Sequence, residues 1–232
     1  MLGSFANVVI HRLPRGESIV SPRSRCPYCQ TPIHPWDNVP LFSFIALRGR
    51  CRHCGEPIAF RYPLVEALMT ALAVAVGVRF SGPVAVGSAL IFTFLLVVIT
   101  FIDLDHHLIL NRVTYPSIVA GLVLAAVQGR PLNAFLAGLG AAGLILAIVV
   151  VSRGGMGGGD VKFAGLIGVF LGWPGVAVAL FLAFMAGGIV GLVLLALRLR
   201  GRKDAIPFGP ALAAGALGAL FWGEAISRWY WP

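Results

Sequence analysis

Two aspartates in this 232-residue chain sit where a charge is hard to keep. Asp103 ends a long apolar run, in Phe101-Ile102-Asp103-Leu104-Asp105-His106-His107, and Asp160 closes Gly154-Gly155-Met156-Gly157-Gly158-Gly159-Asp160-Val161-Lys162 just ahead of another. Acidic side chains in or beside a membrane span are costly and as a rule functional; Glu66 and Asp105 are the other two so placed. Two carboxyls that share a site cannot both ionise easily, because each raises the cost of charging the other. One can then take a proton from a bound water while its protonated partner polarises a scissile carbonyl. The glycines before Asp160 leave the backbone bare, so an extended peptide can come close to it or pair with it. On spacing alone three other uses stay open: loop caps, partners for Arg112 and Lys162, or a proton relay in a transporter. His106, His107, Glu66 and Lys162 are read as structural.

The second chemical signal is the four cysteines. Cys26-Pro27-Tyr28-Cys29 and Cys51-Arg52-His53-Cys54 are two C-x-x-C turns separated by 21 residues. One such turn offers two thiolates to one ion, and two complete a tetrahedral four-thiolate zinc site. A closed shell of four sulfurs leaves no place for a reactive water, so the metal is expected to fold its segment rather than to hydrolyse anything. A disulfide reading is disfavoured for a segment that faces a reducing compartment. His34 and His53 are expected to be surface residues rather than ligands.

These residues need elements to hold them, and composition says which kind. The chain is 58% hydrophobic and only 12% charged, and its mean hydropathy is +0.89, whereas soluble domains carry about 25% charged residues. Apolar content excludes disorder. Residues 11–62 are polar, basic and rich in Pro, Cys and Arg; beyond Pro63 the chain is a series of apolar runs with short polar joints. Spans are expected near 63–79, 83–102, 113–128, 131–152, 175–197 and 206–223, with a weaker one at 161–171, each measured against the roughly 20 apolar residues a crossing needs. The net charge of +9 is explained by topology. If residues 11–62 face the cytoplasm and each run crosses once, fifteen of the Lys and Arg residues fall inside and only Arg79, Arg130 and Arg228 outside. That count requires 161–171 to cross, it puts Asp103 and Asp160 at one face, and it removes the need for a nucleic-acid partner.

At this point the residues resemble a known family, the bacterial prepilin peptidases or type IV leader peptidases. The resemblance runs through Gly3-Ser4-Phe5-Ala6-Asn7-Val8-Val9-Ile10-His11-Arg12-Leu13-Pro14, both C-x-x-C pairs, Asn38-Val39-Pro40, Leu47-Arg48-Gly49-Arg50-Cys51 and Arg61-Tyr62-Pro63-Leu64-Val65-Glu66. It continues in Ile102-Asp103-Leu104-Asp105, Gly157-Gly158-Gly159-Asp160-Val161-Lys162 and Ile206-Pro207-Phe208-Gly209-Pro210. It implies a GxGD-type intramembrane aspartic protease with Asp103 and Asp160 as the catalytic pair and Asp105 as a neighbour. It implies cleavage of the basic leader of prepilins or pseudopilins after a Gly at the cytoplasmic membrane face. It further implies methylation of the new N-terminus from S-adenosylmethionine, an activity associated with the Cys-containing loop; the sequence has no nucleotide-binding glycine motif, so the donor rests on the resemblance alone. Two departures stand out. Leu110-Asn111 occupies a place where the family often has Pro-Asp or Pro-Asn, and most of a first membrane helix ahead of Gly3 is missing, as a misplaced start site or a truncation would leave it.

The expectation is therefore an all-α polytopic protein of the bacterial inner membrane, with about seven to eight transmembrane helices and a small cytoplasmic zinc-binding domain. Residues 1–10 would be the remnant of the first helix, 11–62 the zinc domain with Cys26, Cys29, Cys51 and Cys54, and 63–232 the peptidase domain. Its partners would be the pilin substrate and the bilayer; the sequence carries no signal of oligomeric state.

Overall fold

A computed structural model describes residues 2–21, 24–33, 42–152, 156–198 and 207–230. Arg23, His34, residues 38–40, Arg153, Gly154, Gly155, Arg200, Arg202, Lys203 and Ile206 lie outside the described residues. The described chain is helical, apart from two isolated antiparallel bridges, Arg25 with Pro32 and Arg50 with Pro57. It divides into two compact units, one up to Val78 and one from Arg79 onward.

The first unit holds α1 (Leu2–Arg12), a 3-10 turn over Leu13–Arg15, the short α2 (Phe42–Ala46) and nearly all of α3 (Arg61–Arg79). Helix α1 buries Gly3, Ala6, Asn7 and Ile10, the spacing of a single helix face. Gly3 lies so close to α3 that a Cβ there would come 2.7 Å from the Glu66 Cα, and Asn7 Nδ2 donates to the Tyr62 carbonyl at 3.1 Å.

The second unit is a bundle of α4 (Pro83–His106), α5 (Asn111–Val127), α6 (Pro131–Val151), α7 (Gly158–Leu171), α8 (Gly175–Ala196) and α9 (Gly209–Tyr230). Helix α4 is buried along much of its length, from Ser88 to Asp103, whereas α8 buries only Val176, Ala179, Leu180 and Ala183. Across the chain, α3, α4, α6, α8 and α9 are long and apolar enough to cross a membrane, and α5, at 17 residues, is a shorter apolar helix. Helix α7 has only 14 residues, about 21 Å at 1.5 Å per residue. It is nonetheless the most enclosed, with every residue from Phe163 to Phe170 buried.

Two helix ends differ from the sequence expectation. Helix α4 continues past Ile102 through His106, so Asp103 lies within the helix rather than after it. It stops when His107 turns left-handed (φ 51°) and its N–H bonds the Asp103 carbonyl at 2.9 Å. Hydropathy marks where the chain leaves an apolar surrounding, not where its hydrogen-bond ladder ends. Helix α9 likewise runs from Gly209 to Tyr230 instead of over 206–223.

In lipid there is no hydrophobic gain in moving a helix from tails to a neighbour, so close packing of small residues carries helix association. A Cβ on Gly168 of α7 would lie 2.5 Å from the Ala137 carbonyl oxygen of α6, and one on Gly215 of α9 would lie 2.3 Å from the Ala179 carbonyl oxygen of α8. Both obstacles are backbone, so the helices themselves would have to part. Gly168→Val is expected to destabilise the protein by about 1–3 kcal/mol through overpacking. Gly140→Ala on α6, where a Cβ meets nothing within 4 Å, should be close to neutral. Thermal unfolding of both variants in detergent checks this.

Candidate active site and metal centre

Helices α4 and α7 bring the two aspartates together. The rings of Phe92 on α4 and Phe170 on α7 stack at 4.9 Å between centroids, 9° from parallel. Asp103 is eleven residues beyond Phe92, and Asp160 is ten residues before Phe170. At 1.5 Å per residue those separations are about 16 and 15 Å. The stack and these near-equal separations are consistent with two carboxyls, 57 positions apart in the chain, lying toward the same end of the bundle. Both residues are buried, at 6% and 7% exposure, and each carboxyl lies within electrostatic reach of the other.

The two are held alike. Asp160 is the third residue of α7 and reaches back to accept the Gly157 N–H on Oδ2 at 3.1 Å, while its own N–H bonds the Gly157 carbonyl at 3.1 Å. This is half of a capping box, and it satisfies an N–H that a helix start otherwise leaves unpaired. Asp103 also accepts one backbone N–H on Oδ2, that of Gly209 at 3.1 Å, from the first residue of α9. One oxygen of each carboxyl is thus bound by backbone, and Oδ1 of each is left for other work. Such a pair can share a proton and hold a water between its members.

Of the other acidic and basic candidates, His107 lies within electrostatic reach of Asp103, and the rest go elsewhere. Asp105 is exposed, two positions along a helix from Asp103 and hence on another face. Lys162 gives its ammonium to Asn111 Oδ1 and lies 5.9 Å from the centre of the Tyr115 ring. Asn111, seen in the sequence only as part of a departure, is thus the hydrogen-bond partner of Lys162. Arg112 and His107 are exposed, and His106 is half-buried. Glu66 belongs to the first unit. Glycines 157, 158 and 159 have no left-handed backbone. Gly158 faces open space, and Gly159 sits against the Ile109 side chain, where a Cβ would be 3.0 Å from the Ile109 Cβ.

In the first unit the thiols of Cys26, Cys29, Cys51 and Cys54 gather, with all four Sγ atoms within 4.8 Å of one another. The two turns are near copies. Cys26 N–H bonds the Thr31 carbonyl and Gln30 N–H the Cys26 carbonyl; Cys51 N–H bonds the Glu56 carbonyl and Gly55 N–H the Cys51 carbonyl. Each turn then passes through a left-handed residue, Gln30 (φ 57°) or Gly55 (φ 74°). The fit to zinc is metric: Zn–S bonds of about 2.3 Å in a tetrahedron put sulfurs about 3.8 Å apart, and Cys26 Sγ lies 3.8 Å from Cys54 Sγ. Charge agrees. Hydrogen bonds from Thr31 draw the Cys29 thiol down to about 6, and backbone N–H groups of Cys54 and His53 lower that of Cys51. At Cys54 the Glu56 backbone pulls down, but desolvation and the neighbouring sulfurs outweigh it and push the thiol up to about 12. Four thiolates cannot collect at one point without a cation among them. His53 is exposed and outside the cluster.

Gln30 stands where its copy has glycine. A left-handed non-glycine residue costs about 1 kcal/mol, partly offset here by the bond from Gln30 Nε2 to the Pro27 carbonyl. Gln30→Gly is therefore expected to stabilise the metal-loaded unit by about 0.5 kcal/mol, read as a small rise in its melting temperature.

Fold and sites together define a multi-pass helical membrane protein with a buried carboxyl pair in one unit and a four-thiol centre in the other. Comparison with known proteins gives the family. The bacterial peptidase A24 N-terminal domain matches residues 1–80 and the type IV leader peptidase family matches residues 90–192. The chain belongs to the type IV leader peptidase family. It is 38% identical over 261 residues to a prepilin leader peptidase/N-methyltransferase of Aeromonas hydrophila, covering 99% of this chain and 90% of the relative. It is 34% identical to proteins of the same name from Bacillus subtilis, covering 99% and 94%, and Legionella pneumophila, covering 99% and 90%. No solved structure matches it.

Proposed function

We propose that this protein is a bifunctional prepilin leader peptidase and N-methyltransferase of the bacterial inner membrane, with Asp103 and Asp160 as its peptidase pair. What supports the peptidase half is that two buried aspartates lie within electrostatic reach, each with one carboxyl oxygen held by a backbone N–H. The relatives' names carry the methyltransferase half.

In this reading a water lies between the free oxygens of the pair. The ionised carboxylate takes a proton as the water oxygen bonds to the scissile carbonyl carbon, and the protonated partner gives its proton to the carbonyl oxygen. The tetrahedral diol then collapses. The C–N bond breaks, the departing nitrogen takes up a proton from the pair, and the basic leader leaves with a new carboxylate after its terminal Gly. The uncovered N-terminal amine then accepts the methyl group of S-adenosylmethionine. The S–CH₃ bond breaks to leave a thioether, an N–CH₃ bond forms, and the amine loses a proton. The roles of base and acid belong to the pair, whose members titrate together.

Zinc on Cys26, Cys29, Cys51 and Cys54 is structural in this reading. With residues 11–62 cytoplasmic, α7 counted as a crossing and the first helix included, the chain has seven to eight spans. The mouth of the pair then faces the cytoplasm, where the leader is. The transporter alternative has less support, because both acids sit toward one end of their helices rather than near mid-membrane at a repeat.

The test is to reconstitute the protein in liposomes with a full-length prepilin and to identify products by mass spectrometry. Expected are a cut after the Gly that precedes the hydrophobic stem and, when S-adenosylmethionine is added, one methyl group on the new N-terminus. Substrate left whole, or ion flux with no cut, would refute the reading.

A further inference from the structure

We infer that Gly209 is a positioning residue for Asp103, and that its backbone N–H and its lack of a side chain are both required for the pair to work. The inference rests on the proposed role of Asp103 and Asp160. The Gly209 N–H donates to Asp103 Oδ2 at 3.1 Å across a buried contact that spans 106 positions of sequence. A Cβ at 209 would lie 2.4 Å from that same Oδ2, 3.0 Å from Asp103 Cγ and 3.3 Å from its Cβ. The Oδ2 edge of the carboxyl therefore lies against the glycine, and any side chain there must push Asp103 off its position.

The donor is itself fixed. Gly209 opens α9, so its N–H is one of those that a helix leaves without an internal partner. Phe208, the residue before it, packs into α8: a Cβ on Gly187 would be 2.8 Å from the Phe208 ring, and the Phe184 ring lies 5.4 Å away between centroids. The Phe208 carbonyl accepts the Leu212 N–H at 3.0 Å, which starts the helical ladder. Helix α8 thus sets Phe208, Phe208 sets the start of α9, and the start of α9 sets one oxygen of Asp103. Asp160 has the matching clamp from its own helix start at Gly157. The geometry makes Oδ1 of each carboxyl the working oxygen, with Oδ2 spent on the backbone.

The experiment separates shape from hydrogen bonding. Gly209→Ala adds the methyl. Glycolate placed at 209 by nonsense suppression replaces the N–H with an ester oxygen and adds nothing. Gly223→Ala, also on α9, where a Cβ makes ordinary contact with Ala219 at 3.8 Å, is the control for the helix. In the liposome assay Gly209→Ala is expected to lose about 100-fold in kcat, the scale of an ångström-sized misplacement. The glycolate chain is expected to lose about tenfold, the scale of one hydrogen bond to a charged group. KM should stay within about threefold and the melting temperature near that of Gly223→Ala, because the defect is one of placement and not of substrate binding or folding. Wild-type kcat in either 209 variant would overturn the inference, as would a loss that appears only in KM. Asp103→Asn is run beside them. If it is inactive while both 209 variants are fully active, only the role of Gly209 fails; if it cleaves normally, the reading of the pair fails and this inference with it.

Discussion

Asp160→Asn is expected to lower kcat for leader cleavage by at least about 10³-fold, within the range assigned to a positioned acid or base, and Asp103→Asn to do the same. The change is nearly isosteric. An amide oxygen can still accept the N–H of Gly157 or Gly209, so the helix starts keep their partners. What is lost is the ability to take up and return a proton. Melting temperature should accordingly stay close to the wild-type value while cleavage disappears, and a fluorogenic leader peptide with a membrane stem reads both rate and KM. Asp105→Asn is the comparison, since Asp105 is exposed on another face of α4 and exposed substitutions usually shift free energies by about 0.5 kcal/mol or less. Full processing by either Asn variant of the pair would sink the mechanism.

Loss of the thiol cluster is expected to have the second large effect, and to separate the two activities. Structural zinc contributes about 10–16 kcal/mol to the folding of small metal-dependent domains, more than the segment around Cys26 and Cys51 can supply from a core of its own. Its aliphatic and aromatic residues are largely outside: Val20, Tyr28, Phe42, Ile45 and Phe60 are all exposed. Cys51→Ser, or stripping with a strong chelator, should release close to one zinc per chain, expose the segment to protease and abolish methyl transfer. Both aspartates and both N–H groups that hold them belong to the second unit, so cleavage should fall less than methylation. Metal analysis beside the two product assays checks this; full methyl transfer after complete zinc removal would refute a structural role for the ion.

Much of this was legible in the residues, for reasons that differ by element. The spans at 83–102, 131–152 and 175–197 come back as α4, α6 and α8 within a few residues, because a bilayer imposes a length on any apolar helix. The thiol cluster was legible because C-x-x-C is a local turn that needs only a second copy. The end of α4 was not, since a left-handed His107 has no signature. Asp103 and Asp160 were expected at one face from topology, whereas the Phe92–Phe170 stack between their helices is a choice that periodicity does not reveal. The clamp of Gly209 on Asp103 was hidden for the same reason. Its glycine stands in a motif that resemblance singles out, yet nothing near it in sequence says which side chain needs the space.

The shortness of α7 has one more consequence. Gly168 of α7 packs at Ala137 of α6, and the two helices run antiparallel, so Asp160 comes level with Ile145. Helix α6 continues six residues further, to Val151, a rise of about 9 Å. On that side α6 therefore stands nearly two turns above Asp160. If the pair is the peptidase site proposed above, water has to reach it beside that overhang. If a substrate helix unwinds beside such water-accessible acids, its freed peptide groups are not stranded in hydrocarbon.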